Sequence, residues 1–154
     1  MQQIGARRVR HQRGVTLIEL IVTIAIVAII AGLAFPSYEH YTRKTKRSVA
    51  KTALLEVRSR MENFMLNNKT YTDDLTDLGY GASPFYVDKQ GKAVAQADSI
   101  YTVDVDAADA TSYTLSATPI NAQANDTDCA VFRVDELGQK TAEDSGGDAA
   151  GKCW

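Results

Sequence analysis

The sequence predicts an α+β protein: a long amino-terminal helix whose second half packs on a small antiparallel sheet. Three observations lead there. Residues 15–35 form an apolar run in which Glu19 is the only charge. Behind it Val49, Ala53, Val57, Met61 and Phe64 recur at the three- and four-residue spacing of one helical face, with Ala50, Leu54 and Met65 beside them. Beyond residue 68 the pattern changes to short alternating stretches with no helical segment between them, as expected of a sheet with one covered face.

Taken in order, the chain opens on a basic stretch, residues 1–14, with Arg7, Arg8, Arg10 and Arg13 ahead of Gly14. The apolar run that follows, residues 15–35, covers about 30 Å as a helix, enough for a bilayer. A carboxylate inside such a run costs roughly 3 kcal/mol and calls for a partner. Should the chain be cut after Gly14, the new α-amino group on Val15 lies one helical turn from Glu19, and a neighbouring chain could offer its own terminus as the counter-charge. Gly32 and Pro36 are expected to kink or loosen the helix without ending it. Residues 36–68 continue as an amphipathic helix, with Glu39 and Arg43 four apart in the favourable order. Asn67, Asn68 and Lys69 supply its stop, and residues 71–80 read as a capped turn. Strands are expected at residues 84–88, 100–106, 112–118 and 129–135, so that residues 69–154 make one globular β domain.

The segment Arg13-Gly14-Val15-Thr16-Leu17-Ile18-Glu19-Leu20 resembles the class III signal of type IV pilins and related pseudopilins. In that family a membrane peptidase cuts after the glycine, the new terminus is methylated, and a glutamate stands fifth in the mature chain. The matching residues are Gly14 and Val15 for prepilin cleavage, Val15 for N-methylation and Glu19 for subunit assembly. Val15 departs from the phenylalanine most common after the glycine. Later segments fit the same resemblance: Tyr71, Leu75, Leu78 and Gly79 after the helix, the strand Tyr-Thr-Leu-x-Ala-Thr-Pro at residues 113–119, and a Cys-centred strand followed by Leu137-Gly138-Gln139-Lys140 and a terminal Cys153-Trp154. Together they are similar to PilE-type minor pilins of type IVa pili.

Other readings compete for the amino-terminal residues. A secretory signal peptide could be cut near Gly32-Leu33-Ala34, but its apolar core would be unusually long and would hold a glutamate. A plain membrane anchor explains the length and leaves Glu19 unaccounted for; a buried core helix rarely runs so long. Orientation rests on a near balance, since Arg43, Lys44, Lys46 and Arg47 follow the run as four arginines precede it. The closer approach of the leader to the apolar boundary favours its staying cytoplasmic.

At 154 residues and a formal charge of -2 the chain is near neutral, but the charge is unevenly spread: residues 15–68 carry +3 and residues 69–154 carry -9. An acidic exported domain argues against a nucleic-acid partner. No cofactor and no enzymatic activity are expected: the two histidines, His11 and His40, both lie outside the globular part, and no phosphate-cradling glycine motif occurs. Asp73 with Asp74, and Asp126 with Asp128, could bind calcium, though solvated turn carboxylates account for them more simply. The two cysteines, Cys129 and Cys153, are too few for structural zinc; in an oxidising compartment they pair, the alternative being two buried thiols. Pairing would tether residues 125–154 as a surface loop, which serves either a subunit interface or stability alone.

The resemblance implies a structural minor pilin, processed by the prepilin peptidase, held in the inner membrane with its carboxyl-terminal domain periplasmic, then carried by the pilus assembly platform into an extracellular pilus among other pilins. It implies a part in initiating assembly or forming the tip. A major pilin, a type II secretion pseudopilin and a DNA-uptake competence pilin are the alternatives within the broad class, and a membrane-anchored enzyme is the alternative outside it.

Overall fold

The structure, a computed structural model, describes residues 14–154, the side chains of residues 35–37 excepted. The leader residues 1–13 and the Pro36 side chain expected to kink the helix lie outside that description. Two compact units are distinguished, Met1–Glu39 and His40–Trp154. The first is helical over its described length from Leu17, and Leu17, Ile18, Leu20, Ile21, Ile24 and Ile26 all lie exposed. Such exposure of contiguous apolar side chains is stable only against lipid or other apolar helices.

In the second unit, helix α1 (Leu17–Asn68) contributes its residues from His40 onward. Ala50, Ala53, Leu54, Val57 and Met61 are buried, the stripe that the three- and four-residue spacing predicts. The helix stops where Lys69 takes a left-handed conformation (φ 63°), its amide still donating to the Met65 carbonyl. A short 3-10 turn at Leu75–Leu78 follows. Asp74 caps it by accepting from the Thr76 amide, and Gly79 closes it at φ 85°, a conformation that glycine adopts without a Cβ penalty.

The sheet is an antiparallel meander in the order β1-β2-β3-β4-β5: Phe85–Val87, Tyr101–Ala108, Tyr113–Pro119, Val131–Asp135 and Lys140–Glu143. Register aligns the inward residues in rows, Phe85 opposite Val103, Val103 opposite Ala117, Ala117 opposite Phe132, and Phe132 opposite Ala142. These side chains meet the buried stripe of α1 in one core. A bulge between Val105 and Ala107 lets β2 twist while keeping its inner face apolar.

Among the described residues there are five strands where the alternation predicts four. The additional one, β5, carries a single buried apolar residue, Ala142, so its alternation is nearly silent. Its place is fixed instead by the hairpin at residues 135–139, where Gly138 sits at φ 76° and the Asp135 amide donates to the Gln139 carbonyl. On its far side β5 is covered by the chain end, the Ala150 amide donating to the Ala142 carbonyl and the Trp154 indole to the Thr141 carbonyl.

Candidate functional site

The candidate site begins at the amino end of the described chain. Gly14 and Val15 precede the helix in irregular conformation and are exposed. Thr16 stands at the cap position: its hydroxyl accepts from the Glu19 amide at 3.3 Å and its carbonyl accepts from the Leu20 amide at 3.1 Å. Thr16 and Glu19 thus occupy the two ends of a Thr-x-x-Glu capping sequence, a signal readable from the chain but not used in the expectations above. Glu19 is exposed in the first turn, where the helix dipole favours a negative charge. The helix start therefore leaves residues 14 and 15 outside the helix, directly ahead of its first turn. Gly32 lies within the helix, and a Cβ added there would meet nothing within 4 Å.

In the globular unit the main electrostatic feature lies at Arg47. This residue is buried, and its guanidinium donates in bidentate fashion to Asp126, Nε to Oδ2 at 2.7 Å and Nη2 to Oδ1 at 2.6 Å. Asp128 stands 3.5 Å away on the rim. Hydrogen bonding to Asp126 raises the Arg47 pKa, and burial opposes it. Gln123, fully buried, links the pair to its surroundings: Nε2 lies 3.1 Å from the Arg43 carbonyl, 3.2 Å from Asp126 Oδ2 and 3.2 Å from the Tyr101 hydroxyl. The reading of Asp126 as a solvated turn carboxylate is therefore overturned. A desolvated arginine needs a counter-ion, and the 3-10 turn at Asn121–Asn125 brings Asp126 to it. Asp73 and Asp74, by contrast, are exposed, with Asp74 in its capping role.

A second polar group sits at the far end of the stripe. Glu62 accepts from the Tyr113 hydroxyl at 3.0 Å and from the Tyr71 hydroxyl at 3.3 Å, while the two rings meet edge to face with centroids 4.6 Å apart. Arg58 reaches the Glu136 carbonyl at 3.3 Å and lies under Gly138, where an added Cβ would stand 3.1 Å from its guanidinium. These residues tie α1 to the strand ends. The amphipathic pattern, which scores Arg58 and Glu62 only as polar, does not reveal it.

Cys129 and Cys153 form a disulfide, closing the carboxyl-terminal loop. Inside that loop Asp144 Oδ1 accepts from the Gly146 and Asp148 amides, so the acidic, glycine-rich segment is held by its own turn. Trp154 lies edge to face on Phe132, centroids 5.9 Å apart, with Lys140 over its ring. Among the described residues no group of three or more His, Cys, Asp or Glu is placed to hold a metal ion. A surface cavity of about 360 Å³ opens between Arg60, Asn63, Asn67, Asp77 and Leu78, where Asp77 is held by the Thr72 hydroxyl at 2.7 Å.

Comparison with known proteins places these features. A family model described as "Prokaryotic N-terminal methylation motif" matches residues 9–35. A second, described as "Type IV minor pilin ComP, DNA uptake sequence receptor", matches residues 36–133. Among solved structures, the non-core minor pilin PilV of Neisseria meningitidis is similar at 21% identity, covering 72% of this chain and 96% of that one with a TM-score of 0.49. No curated protein matches. The fold is α+β, as the sequence predicts, and the family is structural rather than enzymatic. With the methylation motif on its apolar helix and the minor-pilin match over more than half its length, the chain belongs to the ComP-type family of type IV minor pilins.

Proposed function

We propose that this minor pilin is made as a precursor cut between Gly14 and Val15 by the prepilin peptidase, methylated at Val15, and held in the inner membrane with residues 40–154 periplasmic until the assembly platform moves it into a pilus. There it meets other pilins through residues 15–35 and acts in initiation of assembly or at the tip. One observation carries this reading: a helix whose cap, Thr16, lies directly after the Gly14-Val15 pair and whose exposed first stretch, within the apolar run 15–35, carries a single charge, Glu19, in its first turn. The dipole and capping environment offsets only part of the cost of that charge in lipid. A neighbouring α-amino group supplies the rest, because an unpaired carboxylate in an apolar bundle is expensive.

The test separates the local role of Glu19 from the intermolecular one. Glu19→Gln keeps the side-chain shape and removes the charge; Glu19→Ala removes both. Both variants are cleaved as the parent is, and both are lost from sheared pili while remaining in the membrane fraction. Full incorporation of either would remove the pairing role. A second reading, DNA uptake, is favoured by the description of the matching family and opposed by the charge of -9 over residues 69–154. Salt-dependent DNA binding by the purified protein would support it, since phosphate contacts give binding that falls steeply with salt.

A further inference from the structure

We propose that residues 149–154 form a strap exchangeable between copies of this chain: it closes on its own β5 or on the β5 edge of a second copy, and formation of the Cys129–Cys153 bridge fixes the choice. A sheet edge with unpaired amides and carbonyls recruits a strand from another chain. β5 has such an edge, and the strap fills it. Glu143 bridges Ala149 in antiparallel register; beside that bridge the Asp144 amide donates to the Asp148 carbonyl at 3.0 Å and the Ala150 amide to the Ala142 carbonyl at 2.8 Å. The Trp154 indole donates to the Thr141 carbonyl, and its ring covers Phe132. A second copy carries all of these residues. Its strap therefore restores the contacts of a vacated edge in full, which makes it the occupant of that edge.

The joint between β5 and the strap suits exchange. It is a turn, exposed from Ser145 to Asp148, that contains Gly146 and Gly147, the latter at φ 85°. Extended, residues 144–148 reach about 17 Å, against about 5 Å between paired strands. Bonds from Asp144 Oδ1 to the Gly146 and Asp148 amides hold the turn, and water replaces exposed bonds of this kind at small net cost. Within the strap only Ala150 and Cys153 are buried, so little apolar contact holds it before the bridge forms. Cys129 lies just ahead of β4, on the body of the domain. The bridge thus joins a strap to whichever body it lies on. In either closure the two thiols pass two electrons and two protons to a disulfide oxidant; with glutathione disulfide, one Cys129–Cys153 bond forms as two glutathione thiols are released. Both sulfurs are buried once joined, so the pairing made at oxidation persists against later thiol exchange.

The test uses the full chain in mild detergent. Cys129→Ser and Cys153→Ser, neither able to close its own bridge, are mixed and oxidised with glutathione disulfide, and the dimers are mapped by peptide mass spectrometry. The heterodimer joining Cys153 of one copy to Cys129 of the other exceeds either homodimer by at least about tenfold, the two ladder hydrogen bonds favouring it by about fivefold each. Ala150→Pro in the copy that supplies Cys153 removes one of those donors and lowers the heterodimer about fivefold. Leu66→Gln leaves it unchanged. A second measurement keeps both cysteines: isotope-labelled and unlabelled parent chains are mixed, reduced in urea and reoxidised, and the share of isotopically mixed Cys129–Cys153 peptide rises with protein concentration. Dimers in the ratio of random collision, a heterodimer indifferent to Ala150→Pro, or a parent peptide unmixed at every concentration overturns the proposal.

Discussion

Removing the Asp126 carboxylate is the most informative single perturbation of the globular unit. In Asp126→Ala, Arg47 loses both short hydrogen bonds, at 2.7 and 2.6 Å, while its side chain stays only 7% exposed. Asp128, 3.5 Å away and 45% exposed, remains as a weak substitute, and Gln123 loses one of its acceptors. Breaking a buried pair from one side costs about 3–5 kcal/mol, and the residual Asp128 contact places this case near about 3. The pair need not itself stabilise the fold, since two charges were desolvated to make it. Replacing both partners, Arg47→Met with Asp126→Leu, therefore recovers most of the loss and leaves a coupling of at least about 2 kcal/mol in a double-mutant cycle. Urea unfolding of the full chain in detergent, followed by the fluorescence of Trp154, the only tryptophan, measures the parent, Asp126→Ala, the two singles Arg47→Met and Asp126→Leu that complete the cycle, and the double variant. A loss below about 1 kcal/mol in Asp126→Ala, or a double variant as unstable as the sum of the singles, would refute the buried-pair reasoning.

Further outcomes follow from the same structure. Opening the Cys129–Cys153 bridge by Cys129→Ser with Cys153→Ser releases a loop of sequence separation 24 and lowers stability by about 3.5 kcal/mol on the chain-entropy estimate, read as a shift in the same urea midpoint. Gly138→Ala strains a left-handed position and pushes a methyl into the Arg58 guanidinium, costing about 1 kcal/mol or more, with faster amide exchange at the 135–139 hairpin. At high pH the buried phenols matter. Burial raises the Tyr80 pKa to about 12, and those of Tyr101 and Tyr113 rise also, chiefly by burial. The folded chain thus keeps protons that the unfolded chain releases above about pH 10. Their contribution is complete below that point and is lost as pH climbs through the folded values, so the urea midpoint falls from pH 10 upward. A midpoint flat over that range would contradict it.

Much of this was legible in the chain because it rests on repetition. The three- and four-residue spacing from Val49 to Phe64 marks the covered face of α1, and alternation marks β2 and β3, where Tyr101 and Val103, then Tyr113 and Leu115, turn inward. Where a contact depends on distant residues, pattern is silent. Arg47 and Asp126 are 79 positions apart, and each alone looks like an ordinary surface charge. Glu62 and Arg58 fall off the apolar stripe yet reach the strand ends, because a long polar side chain can lie along the core and place its head on a tyrosine or a carbonyl. Strand β5 escaped because hydrogen bonds and a hairpin, rather than apolar alternation, define it. At the amino end the Thr16 cap was open to reading, and it explains why the helix starts where it does.

The most direct test is the intact mass and amino-terminal sequence of the protein recovered from sheared pili and from membranes. A chain beginning at N-methylated Val15 in both fractions, with Glu19→Gln confined to the membranes, is the expected result. A native chain retaining Met1, or one trimmed near Ala34 and found free in solution, would contradict a role for residues 15–35 in joining the filament.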